Sequence, residues 1–489
     1  MHEIVDFGTI VLGLAGAFLL AVLSTKLTRR VPVPAPALFL LGAAVASELF
    51  PKLGTAISIR SVERICVVAL VVILFDGGMH VGWRRFRRSL VPIGLLGTVG
   101  TFATAVLVAL PAHYVLGFGW TTASVIGAAL APTDPAVMFS VLGNREVGGR
   151  TGTILEGESG ANDPVGIALM VGLLAYATEA HASPWTVVRE FAVEMSVGLA
   201  VGVAGGVVLE RLMRRVTLPR EGLYPLRTLA GAGVIYGAAA LAHGSGFLAA
   251  FVAGLLIGDA RAPYKAEIER FHSSLASLAE IVVFVALGIT VDLGSLGTDH
   301  LWADGLFLAV VLALAARPLV VGALLLPTRL RPGERVFVAW GGLKGAVPIL
   351  LAALAVLAPL SDARSVYGIV FVVVMFSVLL QGASIPFAAA RLGVPMRLVE
   401  PEPWDISIRF REEPRGVRRF VVRAGATADG RRIADLPLGD HAWISLIVRA
   451  EQPVKARGGT VLEPGDEVVL LAESDSHDGL RAIFEQEHR

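Results

Sequence analysis

Apolar stretches of about 17 residues or more recur along this chain from Phe7 to Leu392, each long enough to cross about 30 Å of hydrocarbon. Nothing else in the sequence limits the fold as strongly. In lipid the backbone must satisfy its own hydrogen bonds, which leaves helices or closed barrels, and long unalternating apolar runs are helices. The expected fold class is therefore an all-α polytopic membrane protein. Composition agrees, with 55% hydrophobic and 17% charged residues, and 54 glycines that let membrane helices approach closely. A net charge of +1 argues against a nucleic-acid partner. The one cysteine, Cys66, lies in an apolar run and excludes an intrachain disulfide. Phe7–Leu23 lacks a basic leader and a clear cleavage site, so it reads as a retained first helix.

Thirteen spans are expected, at 7–25, 34–50, 62–79, 92–116, 121–142, 157–178, 188–210, 224–242, 246–258, 272–291, 303–326, 335–357 and 365–390. Arginines and lysines follow spans one, three, five, seven, nine and eleven, whereas Glu179–Trp185 and Leu293–His300 are nearly free of them. Cytoplasmic loops carry the basic excess. The bias puts the N-terminus outside and the C-terminus in the cytoplasm.

Beyond Leu392 the chain becomes polar. Residues 1–399 form the transmembrane domain and 400–414 a linker. Residues 415–489 form a small cytoplasmic α+β domain, with strands expected at Phe420–Arg423, Trp443–Arg449 and Glu467–Leu471 and a helix at Ser476–Glu487.

Two spans have their helical pattern interrupted. Ala131–Pro132–Thr133–Asp134–Pro135 sets two prolines around an acid, and Gly341–Gly342–Leu343–Lys344–Gly345 sets glycines around a cation. Proline removes an amide and clashes with the preceding turn, so the helix should break there. Interrupted segments at matching places in two halves point to a transporter site between inverted repeats. The two are spans five and twelve, as expected if spans one to six repeat as eight to thirteen.

The third stretch, Gly157–Glu158–Ser159–Gly160–Ala161–Asn162–Asp163–Pro164, opens span six. Ser159 and Asp163, at i and i+4, share a helix face and offer a hydroxyl and a carboxylate, oxygen donors suited to a hard cation. Unwound backbone and the Thr133 hydroxyl add further donors. A cation and a proton competing for Asp163 would couple opposite ion movements; the alternative is that Asp163 caps span six or pairs with a distant cation. Asn162 cannot titrate, which favours one-for-one, electroneutral exchange. Asp76, near the end of span three, reads either as a further ligand or gate or as a solvated acid. Lys344 at membrane depth needs a counter-charge, for which Glu158 is the natural partner, and Arg317 in span eleven needs another, for which Glu280 is the best placed. The sequence contains no Walker loop, zinc motif or nucleophile elbow, so the chain reads as a gradient-driven transporter rather than an enzyme, and without a cofactor. A gated cation channel is the reading from another class, but no carbonyl filter of the Thr-Val-Gly-Tyr-Gly kind occurs.

These three motifs, in this order over about 390 residues, resemble the signatures of the monovalent cation:proton antiporter-1 family, to which the NhaP-like and NHE exchangers belong. The small residues between Ser159 and Asn162 look most like its bacterial potassium/proton antiporter (CvrA-type) branch, and residues 405–489 resemble the RCK C-lobe (TrkA-C) that this branch carries. The resemblance implies an NhaA-like antiporter fold with two crossed discontinuous helices, a homodimer in the cytoplasmic membrane of a bacterium, and elevator-like movement of a core domain. It implies an ion site at Asp163, Ser159, Thr133 and Asp76, with Asp134 acting through water, and a salt bridge from Glu158 to the cation of span twelve. Potassium is the favoured cation and sodium the alternative. In other transporters, lobes like 405–489 take small regulatory ligands.

Overall fold

The computed structural model describes residues 34–50, 58–134, 145–178, 183–298, 300–328, 330–360, 362–398, 417–438, 442–449, 452–472 and 477–485, together with Gly16, Leu19, Val22, Leu23, Val137, Met138 and Leu142. Most of the first expected span, residues 135, 136 and 139–141 of span five, and the expected linker 400–414 lie outside the described residues. The chain divides into two compact units, Met1–Asp405 and Ile406–Arg489.

The first unit is helical. It opens with α1 (Ala35–Leu49), α2 (Ile59–Val81), the short α3 (Trp83–Arg88), α4 (Leu90–Tyr114) and α5 (Trp120–Leu130). Then come α6 (Gly149–Thr178), α7 (Pro184–Arg215), α8 (Leu223–Leu241), α9 (Gly246–Gly258) and α10 (Lys265–Thr290). After the short α11 (Leu293–Thr298) follow α12 (Leu301–Leu325), α13 (Pro332–Trp340), α14 (Ala346–Leu357) and α15 (Ala363–Arg391). Seven of the described helices are long and apolar enough to cross a membrane, and four apolar ones are shorter. Each expected span from 34–50 onward overlaps a described helix, but α8, at the span 224–242, belongs to neither set.

Local chemistry sets the ends. Ser58 accepts a hydrogen bond from Ser61 N (3.1 Å) to start α2, and Gly82, at φ 66°, ends it. Pro332 opens α13, with Glu334 accepting from Arg331 N at 2.7 Å. Three helices contain a π-helical turn: Leu96–Gly100 in α4, Leu312–Ala316 in α12 and Ser377–Gly382 in α15. Such turns add a residue to the helix and are frequent at functional sites. The second of them ends where Arg317 begins.

The core is centred on α5 and α14. Both are strongly apolar, and most of their residues are buried, as expected of interior helices. Each adjoins an interruption of the chain. α5 ends at Leu130, before Pro132, and α13 ends at Trp340, leaving 341–345 non-helical before α14 resumes. Two three-residue strands that the sequence did not suggest, β1 (Arg145–Val147) and β2 (Met396–Leu398), pair antiparallel and tie the stretch before α6 to the chain after α15.

Span six departs from expectation. Its helix starts at Gly149, not 157, so the Glu158–Asp163 motif lies in its middle rather than at its head. Asp163 is fourteen residues from the first, about 21 Å along the axis. The alternative in which Asp163 caps the helix is thereby removed. Thr151, Ile154 and Leu155 in the early turns are buried in protein, so a hydropathy pattern tuned to lipid does not register them.

The second unit contains a four-stranded antiparallel sheet in the order β3 (Val417–Val421), β6 (Glu467–Ala472), β4 (Ala442–Arg449), β5 (Gln452–Val454). In register, Phe420 faces Val468 and Ile447 faces Val454. Its core joins Phe420, Ile447, Val468 and Leu470 to Leu480 and Phe484 of α16 (His477–Glu485). The expected strands and closing helix fall within a few residues of β3, β4, β6 and α16; β5 was not anticipated.

Candidate functional site

The break after α5 lies against the middle of α6. Asn162 donates from Nδ2 to Thr133 Oγ1 at 2.8 Å, and its Oδ1 accepts from Thr133 N at 3.3 Å. Ser159 Oγ donates to Thr133 O at 2.6 Å. One face of α6 thus holds every polar group of Thr133, which a backbone without helical partners requires. Gly166, one turn further on, makes room for the Pro132 ring; a Cβ there would overlap it.

The two breaks then brace each other. Lys344 Nζ donates to Ala131 O (3.1 Å) and Pro132 O (2.8 Å), the carbonyls freed where α5 ends. In return Asp134 accepts from Ala346 N at 3.2 Å, the first amide of α14, while its own amide donates to Leu343 O at 2.8 Å. A cation therefore sits at a helix C-terminus and an anion at a helix N-terminus, each opposing the local dipole. Gly345 is obligatory here, because a Cβ would overlap the Asp134 carboxylate. Lys344 N also donates to Ser377 Oγ (2.9 Å), anchoring the second break to the π-helical turn of α15.

Both expected ion pairs are rearranged. Glu158 is bound not by Lys344 but by Arg317, through two guanidinium nitrogens, with Arg317 Nη2 to Glu158 Oε2 at 2.8 Å. Both side chains are buried. The planar guanidinium matches a carboxylate fork, while the compact ammonium of Lys344 suits two converging carbonyls. Glu280 is accordingly not the partner of Arg317. Its Oε1 has no hydrogen-bond partner among the described residues, and its charged neighbour is Asp134.

Among the described residues three buried carboxylate oxygens have no hydrogen-bond partner, on Asp76, Glu280 and Asp163, and of these acids Asp163 lies on the face of α6 that holds the break. It is 6% exposed and flanked by Asp134 and Lys344, and its Oδ1 has no hydrogen-bond partner among the described residues. A buried carboxylate in that condition is costly unless a proton or cation occupies it. Ser159 Oγ, Thr133 and Asp163 form a set of oxygen donors at the break, the chemistry of a site for a hard cation.

Asp76 belongs to α2, which packs on α6, and is likewise buried. No hydrogen bond among the described residues joins it to the Thr133 cluster. Its Oδ2 instead meets His80 Nδ1 at 3.3 Å, one helical turn away. His80 is the residue that sequence reasoning missed, and the i, i+4 acid–histidine spacing was the signal. His272, in α10, is fully buried beside Phe75, with Nδ1 against Ile268 O at 2.8 Å.

Two interrupted segments bracing each other inside a bundle of apolar helices, with the Asp163 carboxylate incompletely satisfied beside them, fit a multi-pass membrane transporter rather than an enzyme. Residues 14–391 match the family described as sodium/hydrogen exchanger, transmembrane, and residues 417–485 match the TrkA-C domain. The K(+)/H(+) antiporter NhaP of Alkalimonas amylolytica is 32% identical over 479 residues, covering 96% of this chain and 82% of that protein. The K(+)/H(+) antiporter NhaP2 of Shewanella sp. (strain MR-4) is 32% identical over 490 residues, covering 97% and 83%. A low-affinity Na(+)/H(+) antiporter, NhaS1 of Synechocystis sp., is 28% identical over 366 residues, covering 69% and 67%. In fold, the chain resembles the sodium proton antiporter MjNhaP1 from Methanocaldococcus jannaschii, with a TM-score of 0.67, 23% identity and coverage of 78% of this chain and 100% of that one. The chain belongs to the sodium/hydrogen exchanger family.

Proposed function

We propose that this protein is a secondary antiporter that exchanges a monovalent cation, potassium in preference to sodium, for a proton across the cytoplasmic membrane. The observation that carries the reading is the unmatched Oδ1 of Asp163 at mid-helix, beside backbone freed by Pro132. A proton or a dehydrated cation satisfies that oxygen, and the two cannot share it. Exchange follows from competition at Asp163, with Ser159, Thr133, Asn162 and Asp134 shaping the cavity and Asp76 acting as a further ligand or gate. Because Asn162 is neutral, one charge is exchanged for one, and transport is electroneutral.

Relatives named as K(+)/H(+) antiporters along nearly the whole chain support potassium; the Synechocystis relative keeps sodium as the second reading. Residues 1–399 form the exchanger, with thirteen spans in inverted repeats, an external N-terminus and a homodimeric assembly. The π-helical turns of α4 and α12, seven spans apart like the two breaks, support the repeat. After the linker 400–414, residues 415–489 form a cytoplasmic regulatory lobe that takes a small ligand. Everted vesicles carrying a pH dye provide the test. Potassium should dequench the dye, membrane voltage should not alter the response, and Asp163→Asn should abolish it in a folded protein. Full exchange by that variant would refute the site.

A further inference from the structure

A groove of about 550 Å³ runs between α12, α13 and the end of α15, reaching Trp340 at the edge of the second break. Its walls are almost wholly apolar, built from Leu314, Pro318, Trp340 and Phe387, and its described lining includes Arg335 and Arg391 but no acidic residue. Leu314 and Phe387 are 64% and 74% exposed, as lipid-facing residues are. The two arginines lie toward one end. Arg391 is the last residue of α15, Arg335 lies in the first turns of α13, and Gly333 closely approaches Leu392. From Ser384 to Arg391 the groove is about 10 Å deep along the helix. Arg335 gives Nη2 to Thr328 O (2.8 Å), yet its Nε is buried with no partner among the described residues.

We propose that this groove is a binding site for an anionic glycerophospholipid. An acyl chain fills the slot, and the phosphate is held by Arg335 and Arg391 at its mouth. An amphiphile with a negative head is the one occupant that matches an apolar trough closed at one end by two cations. A neutral chain would leave both guanidiniums without an anion, and an inorganic anion would leave the trough empty.

The site also touches the transport machinery. Trp340 forms its wall, donates through Nε1 to Ser384 Oγ (2.8 Å), and accepts at its carbonyl from Gln381 Nε2 (2.6 Å). Gln381 in turn accepts from Ser377 Oγ (3.1 Å), the group that receives Lys344 N. Pro318 follows Arg317 directly. A bound lipid thus braces the helix ends on which the second break is mounted.

Native mass spectrometry of the full-length protein, loaded from mixed micelles of phosphatidylglycerol and phosphatidylcholine, tests this. Wild type should retain phosphatidylglycerol about tenfold better than phosphatidylcholine, whose phosphate is offset by its own choline cation and so presents no net charge to the two arginines. Arg391→Gln, at an exposed helix end, should bring the two lipids level. Gly322→Leu should expel both, since Gly322 borders the groove and a Cβ there meets only open space, leaving the fold intact. Equal retention of the two lipids by wild type would mean ordinary bilayer contact and overturn the proposal. So would phosphatidylglycerol retention unchanged by both substitutions, or a lipid-free dimer that Gly322→Leu dissociates, which would make a second copy the occupant.

Discussion

Lys344 and Asp134 each hold the helix end that the other's segment interrupts. The ammonium binds the carbonyls of Ala131 and Pro132, and the carboxylate binds the amide of Ala346. The arrangement explains how two unwound segments coexist at membrane depth. Non-helical backbone there is tolerated only when protein groups satisfy it.

Lys344→Met should therefore destabilise the fold, not merely alter the chemistry. It removes two charge-assisted bonds and leaves two carbonyls buried without donors, at about 1.5–3 kcal/mol each. A thermal melt of the detergent-solubilised protein should fall by several degrees, and exchange should be lost with it. An unchanged melting temperature would show that the carbonyls find other donors.

The Arg317–Glu158 pair predicts a different pattern. Removing one partner of a buried ion pair strands the other charge, at about 3–5 kcal/mol, whereas replacing both with apolar groups of similar volume is often nearly neutral. Glu158→Gln alone should lower the melting temperature sharply. Glu158→Met combined with Arg317→Met should recover much of that loss. Additive losses in the double variant would contradict the pairing.

How far the sequence reached depended on the range of the physics involved. Pro132 and Gly345 act on their own backbone, so both breaks could be read directly, as could the shared face of Ser159 and Asp163. The partner of Glu158 could not. Lys344 and Arg317 both read as lone cations in apolar spans, and choosing between them needs the azimuth and depth of three helices. The start of α6 was missed because Thr151 and Glu156 look polar while the helix there packs against protein rather than lipid. β1 and β2 are three residues each and owe their pairing to a fold that brings positions about 250 residues apart together.

In the second unit, Asp466 is fully buried and accepts from Arg449 Nε (2.7 Å) and Nη2 (2.8 Å) and from Glu463 N (2.9 Å). It fixes the turn that feeds β6 while tying that turn to β4. Asp466→Ala should weaken this unit by about 2–4 kcal/mol, discounted for the partial exposure of Arg449. Hydrogen exchange in residues 417–485 should accelerate while the helical unit stays protected. If the lobe regulates rather than transports, the vesicle assay should still show potassium–proton exchange with altered control. Complete loss of exchange in the folded variant would contradict a regulatory role.

Asn162 offers the cleanest test of stoichiometry. Its Oδ1 accepts from Thr133 N and its Nδ2 donates to Thr133 Oγ1. In Asn162→Asp the first bond survives, and the second reverses when the Thr133 hydroxyl turns to donate to the new carboxylate. The substitution thus preserves the shape of the break while placing a second titratable group beside Asp163. Two protons could then leave for each cation bound, and the cycle would carry net charge. Wild-type exchange in vesicles should be indifferent to a potassium–valinomycin-free voltage imposed by another permeant ion, whereas Asn162→Asp should speed up or slow down with its sign. A folded, active Asn162→Asp protein that ignores voltage would break the link between the neutral amide at position 162 and one-for-one exchange.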